Sequence, residues 1–140
     1  MNTKRYRVVL DTNVVFEGLT TKKSACGLLI DAWFADLFQV CISNALAYEY
    51  KDVLSRKFKP VRWQQAQIAL RTLFDKAEIV SIHYSWRPAS PDPGDDLVID
   101  CALNANALVV TSNSKDFRKA RKELGLLVMT PVEFAVLLAD

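Results

Sequence analysis

The chain has 140 residues, of which 51% are hydrophobic, 24% charged and 10% aromatic, with four glycines and five prolines. That length predicts a single domain over residues 1–140, and the composition excludes disordered, collagen-like and low-complexity chains. The net charge of +2 permits a nucleic-acid partner without requiring one, and no apolar run approaches the roughly 20 residues that span a bilayer, so no membrane partner is expected.

In chain order, Arg7–Leu10 is a short apolar run halted by Asp11-Thr12-Asn13, the pattern of a buried parallel strand. The apolar run after the basic start is too short for a signal peptide, and a cytoplasmic location is expected. Ser24 is placed to cap a helix running to about Leu37, with Leu28, Leu29, Ala32 and Trp33 at helical spacing. Phe38–Ser43 reads as a strand, Asn44–Phe58 as a helix, and Val61–Lys76 as a further helix before the β-rich Glu78–Ile82. The Pro-rich stretch RPASPDPGDD (residues 87–96) reads as loop. Asp95–Asn106 follows as a helix, Ala107–Thr111 as a strand, and Lys115–Leu124 as a basic helix stopped by Gly125. Leu126–Met129 is the last strand, followed by a helix from Pro131 to Leu138. Strands alternating with helices predict an α/β fold with a mainly parallel sheet covered on both faces.

Cys26, Cys41 and Cys101 are widely spaced, and the chain holds one histidine. That excludes a disulfide framework and a structural zinc site, so any metal would be held by oxygen. In parallel sheets, ligands bind beyond the carboxyl ends of the strands. Two predicted strands end there in polar runs, Asp11-Thr12-Asn13 and Thr111-Ser112-Asn113. A carboxylate at Asp11, ending a buried strand, is costly unless a cation or several donors meet it. Asp116 follows the second run, where helix capping is the competing explanation. Helical arithmetic puts Glu49 at the edge of the apolar stripe Leu46, Ala47, Tyr50, Val53 and Leu54, with Asp52 pointing away. The same arithmetic puts Asp95 on the flank of the face formed by Leu97, Val98, Cys101, Ala102 and Ala105, with Asp96 and Asp100 on the far side. First-turn geometry leaves Asp96 an alternative to Asp95 as the inward residue. Carboxylates converging in one place need raised pKa values or divalent cations, and an all-oxygen set suits Mg²⁺ or Mn²⁺. Such a site suits phosphodiester hydrolysis.

The blocks VVLDTNVVFEGL, LAYEYKDVL, SPDPGDDLVIDCALNANALVVTSNSKDF and TPVEF, spread from Arg7 to Phe134, resemble the PIN-domain nucleases. Within that family they are most similar to the VapC-like branch of toxins from toxin–antitoxin systems. The resemblance implies a three-layer α/β/α sandwich with metal-dependent ribonuclease activity. It implies Asp11, Glu49, Asp95 and Asp116 as the four acidic positions that bind Mg²⁺ or Mn²⁺, with Asp96 beside the third and Asn13 and Thr111 bordering the site. Asn113 departs from the aspartate that many PIN domains carry there, which weakens the charge balance for a second metal. A homodimer and an inhibiting antitoxin are also implied.

Two basic groups flank these positions and are candidates for holding an RNA backbone: Lys115, Arg118, Lys119, Arg121 and Lys122, and Lys51, Arg56, Lys57, Lys59 and Arg62. Trp63 and Trp86 are candidates for base stacking or for packing, and His83 reads as structural. The leading expectation is an endoribonuclease. A phosphatase with a strand-end aspartate nucleophile would call for a second aspartate where Asn13 stands. A non-catalytic RNA- or protein-binding module with a degenerate site is the alternative from another class.

Overall fold

A computed structural model describes residues 5–86, 90 and 92–140. The basic start at residues 1–4 and residues 87–89 and 91 of the predicted Pro-rich loop lie outside the described residues. The order is β1 (Arg7–Leu10), α1 (Thr12–Thr20), α2 (Ala25–Phe34), β2 (Gln39–Ile42), α3 (Asn44–Lys57), α4 (Pro60–Asp75), β3 (Glu78–Ile79), α5 (Pro93–Ala105), β4 (Leu108–Val110), α6 (Arg118–Leu124), β5 (Val128–Met129) and α7 (Pro131–Ala139). A 3-10 turn at Ser114–Phe117 precedes α6.

The strands form one parallel sheet in the order β3-β2-β1-β4-β5. Parallel neighbours need crossover helices, and these make the three-layer α/β/α arrangement. Val8 stands opposite both Val40 and Leu108, and Leu10 opposite Val110. Val8, Val9 and Leu10 are fully buried, as a strand covered on both faces requires. The chain leaves β1 towards β2 and later returns on the other side of β1 as β4. The carboxyl ends of β1 and β4 therefore form the topological switch point, where α/β sheets open a crevice.

Local signals account for the helix starts. Ser24 Oγ accepts the Gly27 N–H at 3.0 Å, and Ser43 Oγ accepts the Leu46 N–H at 3.1 Å. Thr130 and Glu133 form a reciprocal capping box. Gly125 adopts φ +68°, the left-handed conformation that stops α6. No helix among the described residues is long and apolar enough to cross a membrane.

One segment that the sequence leaves unassigned is placed, and two expectations are corrected. The segment after Asp11 is a helix, α1, whose buried Val14, Val15 and Gly18 follow helical spacing. A Cβ on Gly18 would stand 2.7 Å from the Cys26 carbonyl oxygen, so glycine lets α1 and α2 approach closely. Asp96 and Asp100 are buried, at 6% and 4% exposure, rather than lying on an outer side. The cause is that α5 packs against β1, β2, β4 and α3, which leaves it no broad solvent face. Finally, the basic segment begins as a 3-10 turn, and the α-helix proper starts at Arg118.

Candidate active site

Asp11 follows β1 directly and stands at the start of α1, where its extended backbone (φ −63°, ψ 148°) turns the chain from strand to helix. Its backbone N–H donates to the Val110 carbonyl at 2.9 Å, which ties it to the end of β4. Its carboxylate is 6% exposed and accepts a 2.7 Å hydrogen bond from the buried Thr111 hydroxyl. The Asn113 N–H in turn donates to Thr111 Oγ1 at 3.0 Å, which leaves the hydroxyl proton free for Asp11. Burial pushes the Asp11 carboxyl upward, opposed by the bonds from Thr111 and the Thr12 backbone and assisted by the charges of Asp92 and Asp116.

Glu49 arrives from α3, which is anchored through Tyr50. The Tyr50 ring is fully buried, and its hydroxyl donates to the Leu10 carbonyl. Glu49 is half-buried at the edge of the apolar stripe and Asp52 is exposed, as the helical arithmetic predicts. Burial, then the charges of Asp52 and Asp92, raises the Glu49 carboxyl.

The third wall is the start of α5. Asp92 caps this helix, its Oδ1 accepting the Gly94 N–H at 2.9 Å, with Pro93 in the first turn. Asp95 follows, 7% exposed, with Ser90 Oγ donating to its Oδ2 at 3.4 Å. Burial, and then the facing charges of Asp11, Asp92 and Asp116, pushes the Asp95 carboxyl up to about 7. Gly94 admits Glu49 to this wall, since a Cβ there would lie 2.9 Å from Glu49 Oε2.

Asp11, Thr12, Asn13, Glu49, Val53, Asp92, Gly94 and Asp95 line one cavity of about 140 Å³. Asp116 does not line it, yet its charge acts on both Asp11 and Asp95. The Asn113 amide donates to Asp116 Oδ2 and sets that carboxylate's orientation. Asp96 is buried on the same helix turn as Asp95 but is not among the cavity's lining residues. Asp92 is the residue that the sequence reading passed over. Its signal was present in the Asp-Pro-Gly run, where an aspartate before proline marks a helix cap. A larger cavity of about 580 Å³ lies at the amino ends of β1 and β4, lined by Arg5, Arg7, Leu108 and neighbours, with no carboxylate in its wall.

The donors in the acidic cavity are all oxygens, and their mutual repulsion is what a hard divalent cation would relieve. In donor type and charge the residues fit such an ion. Among the described residues, no group of three or more His, Cys, Asp or Glu side chains is set to hold one.

The first basic group, Lys115, Arg118, Lys119, Arg121 and Lys122, is exposed beside Asp116. In the second, Arg56 pairs with Asp52 at 3.0 Å, whereas Lys57 donates to Asn13 Oδ1 at 3.1 Å on the cavity rim. Trp63 is half-buried against the gap between α3 and α4. Trp86 is partly exposed, edge-on to Tyr84, and the His83 N–H donates to Asn104 Oδ1. Neither tryptophan nor His83 lines the acidic cavity.

The profile of the PIN domain family matches residues 7–115. No curated protein matches the sequence. Among solved structures, the chain is similar to one in the VapBC2 complex of Rickettsia felis bound to a DNA fragment from its promoter. There the TM-score is 0.65 at 18% identity, covering 89% of this chain and 98% of that one. It is also similar to a chain of VapBC-1 from nontypeable Haemophilus influenzae, with a TM-score of 0.60 at 15% identity, covering 90% and 98% respectively. At such identities the likeness is one of fold.

Proposed function

This chain belongs to the PIN domain family, and from that premise we propose that it is a metal-dependent endoribonuclease, the toxin of a toxin–antitoxin pair acting in the cytoplasm. The observation that carries the reading is the cavity at the switch point of the sheet, where Asp11, Glu49, Asp92 and Asp95 share one wall-to-wall oxygen environment. Asp11, Glu49, Asp95 and Asp116 would hold Mg²⁺ or Mn²⁺, with Asp92 adding charge at the rim. When bound, such a cation lowers the pKa of water and neutralises charge on a phosphodiester. The chain's own residues do the positioning. Thr111 orients the Asp11 carboxylate, Asn113 orients Asp116, and Gly94 leaves room for Glu49. Lys115, Arg118 and Lys119 supply positive charge next to Asp116 for the RNA backbone. Among the described residues, the site hydroxyls of Thr111 and Ser90 serve to orient Asp11 and Asp95, and hydrolysis proceeds on this reading by direct in-line attack of water.

The two solved structures described above come from VapBC complexes, which supports a cognate antitoxin as the protein partner. The inferred assembly of this chain is a homodimer.

A second reading, a binding module without catalysis, is favoured by one observation: no three described side chains are set around an ion. Cleavage of labelled single-stranded RNA with Mn²⁺, Mg²⁺ or EDTA, in wild type and Asp11→Asn, separates the two. The nuclease predicts cutting that requires metal, is lost in the variant, and leaves 5′-phosphate and 3′-hydroxyl ends. Only cyclic-phosphate ends, or cutting that survives EDTA, would overturn the mechanism. RNA binding with neither metal binding nor cutting would establish the second reading, and Mn²⁺ binding that disappears in Asp11→Asn would count against it.

A further inference from the structure

Among the described residues, three cations are occupied in ion pairs: Arg7 with Glu78, Arg56 with Asp52 and Lys76 with Asp36. Lys57 is held differently. Its Nζ lies 3.1 Å from Asn13 Oδ1, on the rim of the acidic cavity, and 4.9 Å from the centroid of the Phe16 ring. Phe16 packs on Phe58 with centroids 5.1 Å apart, and the Arg62 guanidinium carbon stands 5.9 Å from the Phe58 centroid. The sequence Lys57, Phe16, Phe58, Arg62 is thus a continuous line of cation, ring, ring and cation. It starts at the cavity rim and leads across α1 and the end of α3 to the start of α4.

A ring face and a neutral amide fix a cation's position without neutralising it, whereas a carboxylate partner cancels the charge that an anion would meet. A side chain already restricted in this way loses less freedom when a ligand immobilises it. Arg56, one residue from Lys57, shows the contrast, since its charge is already spent on Asp52.

We propose that Lys57 and Arg62 form a phosphate track that carries a single RNA strand to the acidic cavity. The proposal rests on the nuclease reading above and adds to it the strand's path and the residues that grip its backbone. In this arrangement Lys57 grips the phosphate next to the cleavage position, and Arg62 grips one further along the strand.

The test is fluorescence anisotropy of a labelled single-stranded RNA bound to the full chain in EDTA, in an Asp11→Asn background that prevents cutting, over a series of salt concentrations. Each lost phosphate contact lowers the slope of log affinity against log salt by about 0.7, so the affinity lost between about 50 and about 200 mM salt shrinks by about threefold. Lys57→Gln and Arg62→Gln should each produce that change, and the double variant about twice the change in slope. Lys57→Arg, which keeps the charge, should retain the wild-type slope, and Asn13→Ala, which removes only the contact, should retain it as well. Lys23→Gln, an exposed lysine at the turn between α1 and α2, should leave it unchanged. RNA binding with an unaltered slope in both glutamine variants would overturn the track and leave the nuclease reading standing. Failure of every variant to bind RNA even at low salt would overturn both.

Discussion

Replacing Asp95 with asparagine should stabilise the metal-free protein at neutral and higher pH and do nothing for it in acid. The Asp95 carboxyl is pushed from its ordinary 3.8 to about 7, first by burial and then by Asp11, Asp92 and Asp116. A carboxyl whose folded value is raised favours the folded state below its unfolded value. That contribution is lost as pH rises, because the unfolded chain ionises freely at 3.8 while the folded one resists until about 7. At about 1.36 kcal/mol per pH unit, the interval corresponds to about 4 kcal/mol. Solvent at the cavity mouth screens part of this repulsion, and halving it leaves about 2 kcal/mol. The amide of the variant would have no proton to lose and would keep the side chain's shape. Urea denaturation in EDTA, followed by circular dichroism, should therefore find Asp95→Asn more stable than wild type by about 2 kcal/mol near pH 8, with the gap closing near pH 4. In melting temperature the gap at the higher pH is about 8 °C for a chain of this size. An equal offset at both pH values, or a destabilised variant at pH 8, would refute the claim that these carboxylates repel one another across a shared cavity.

Thr111→Val removes a buried donor from Asp11 while preserving shape. It should cost about 1.5–3 kcal/mol of stability where Asp11 is ionised, and calorimetry should find Mn²⁺ affinity reduced about 10- to 100-fold. Gly94→Ala should leave the urea midpoint nearly unchanged, because the one tight contact of its Cβ, 2.9 Å, is with the movable end of Glu49, while Asp92 Oδ1 stands at an ordinary 3.4 Å; displacing the Glu49 carboxylate should lower RNA cleavage by about 10- to 100-fold. Cys26, Cys41 and Cys101 are buried, and burial pushes the Cys26 and Cys101 thiols up to about 12. A thiol reagent near neutral pH should therefore label none of the three until denaturant is added, and rapid labelling of the native protein would contradict the packing of the core.

Most of the fold was legible in the sequence because the central strands are short, mostly apolar runs with a polar stop, and α2, α3, α5 and α7 each carry a side-chain cap. Asp11 and Glu49 were legible for the same reason. One ends a buried strand, and the other sits at the edge of a one-sided apolar stripe. Where an element has no solvent side, the same arithmetic fails. Helix α5 is enclosed by three strands and α3, so spacing alone could not place Asp96 and Asp100, both of which are buried. Helix α1 was hidden because Asp11-Thr12-Asn13 reads as the end of a strand, whereas in the fold the strand ends and the helix begins at one residue. Asp92 was hidden in a Pro-rich stretch whose last residues open α5. The sorting of the second basic group was not legible at all. Arg56 pairs within its own helix at i and i+4, while Lys57 meets Asn13 across 44 positions of sequence.

The hydrogen bond from Tyr50 to Leu10 joins the immediate chain neighbours of Glu49 and Asp11. It works as a gauge block, because the spacing of those two acids follows from two peptide links and one fully buried contact, and from nothing that loops contribute. A one-turn slip of α3, about 5.4 Å, would have to break it. Inserting or deleting a residue between Ser43 and Glu49 would rotate Glu49 off this gauge by about 100°. Length changes at the exposed turn between α1 and α2 leave the gauge untouched. The tolerance of this chain to drift is therefore uneven, tight along the few residues that calibrate one pair of acids and loose at the α1–α2 turn.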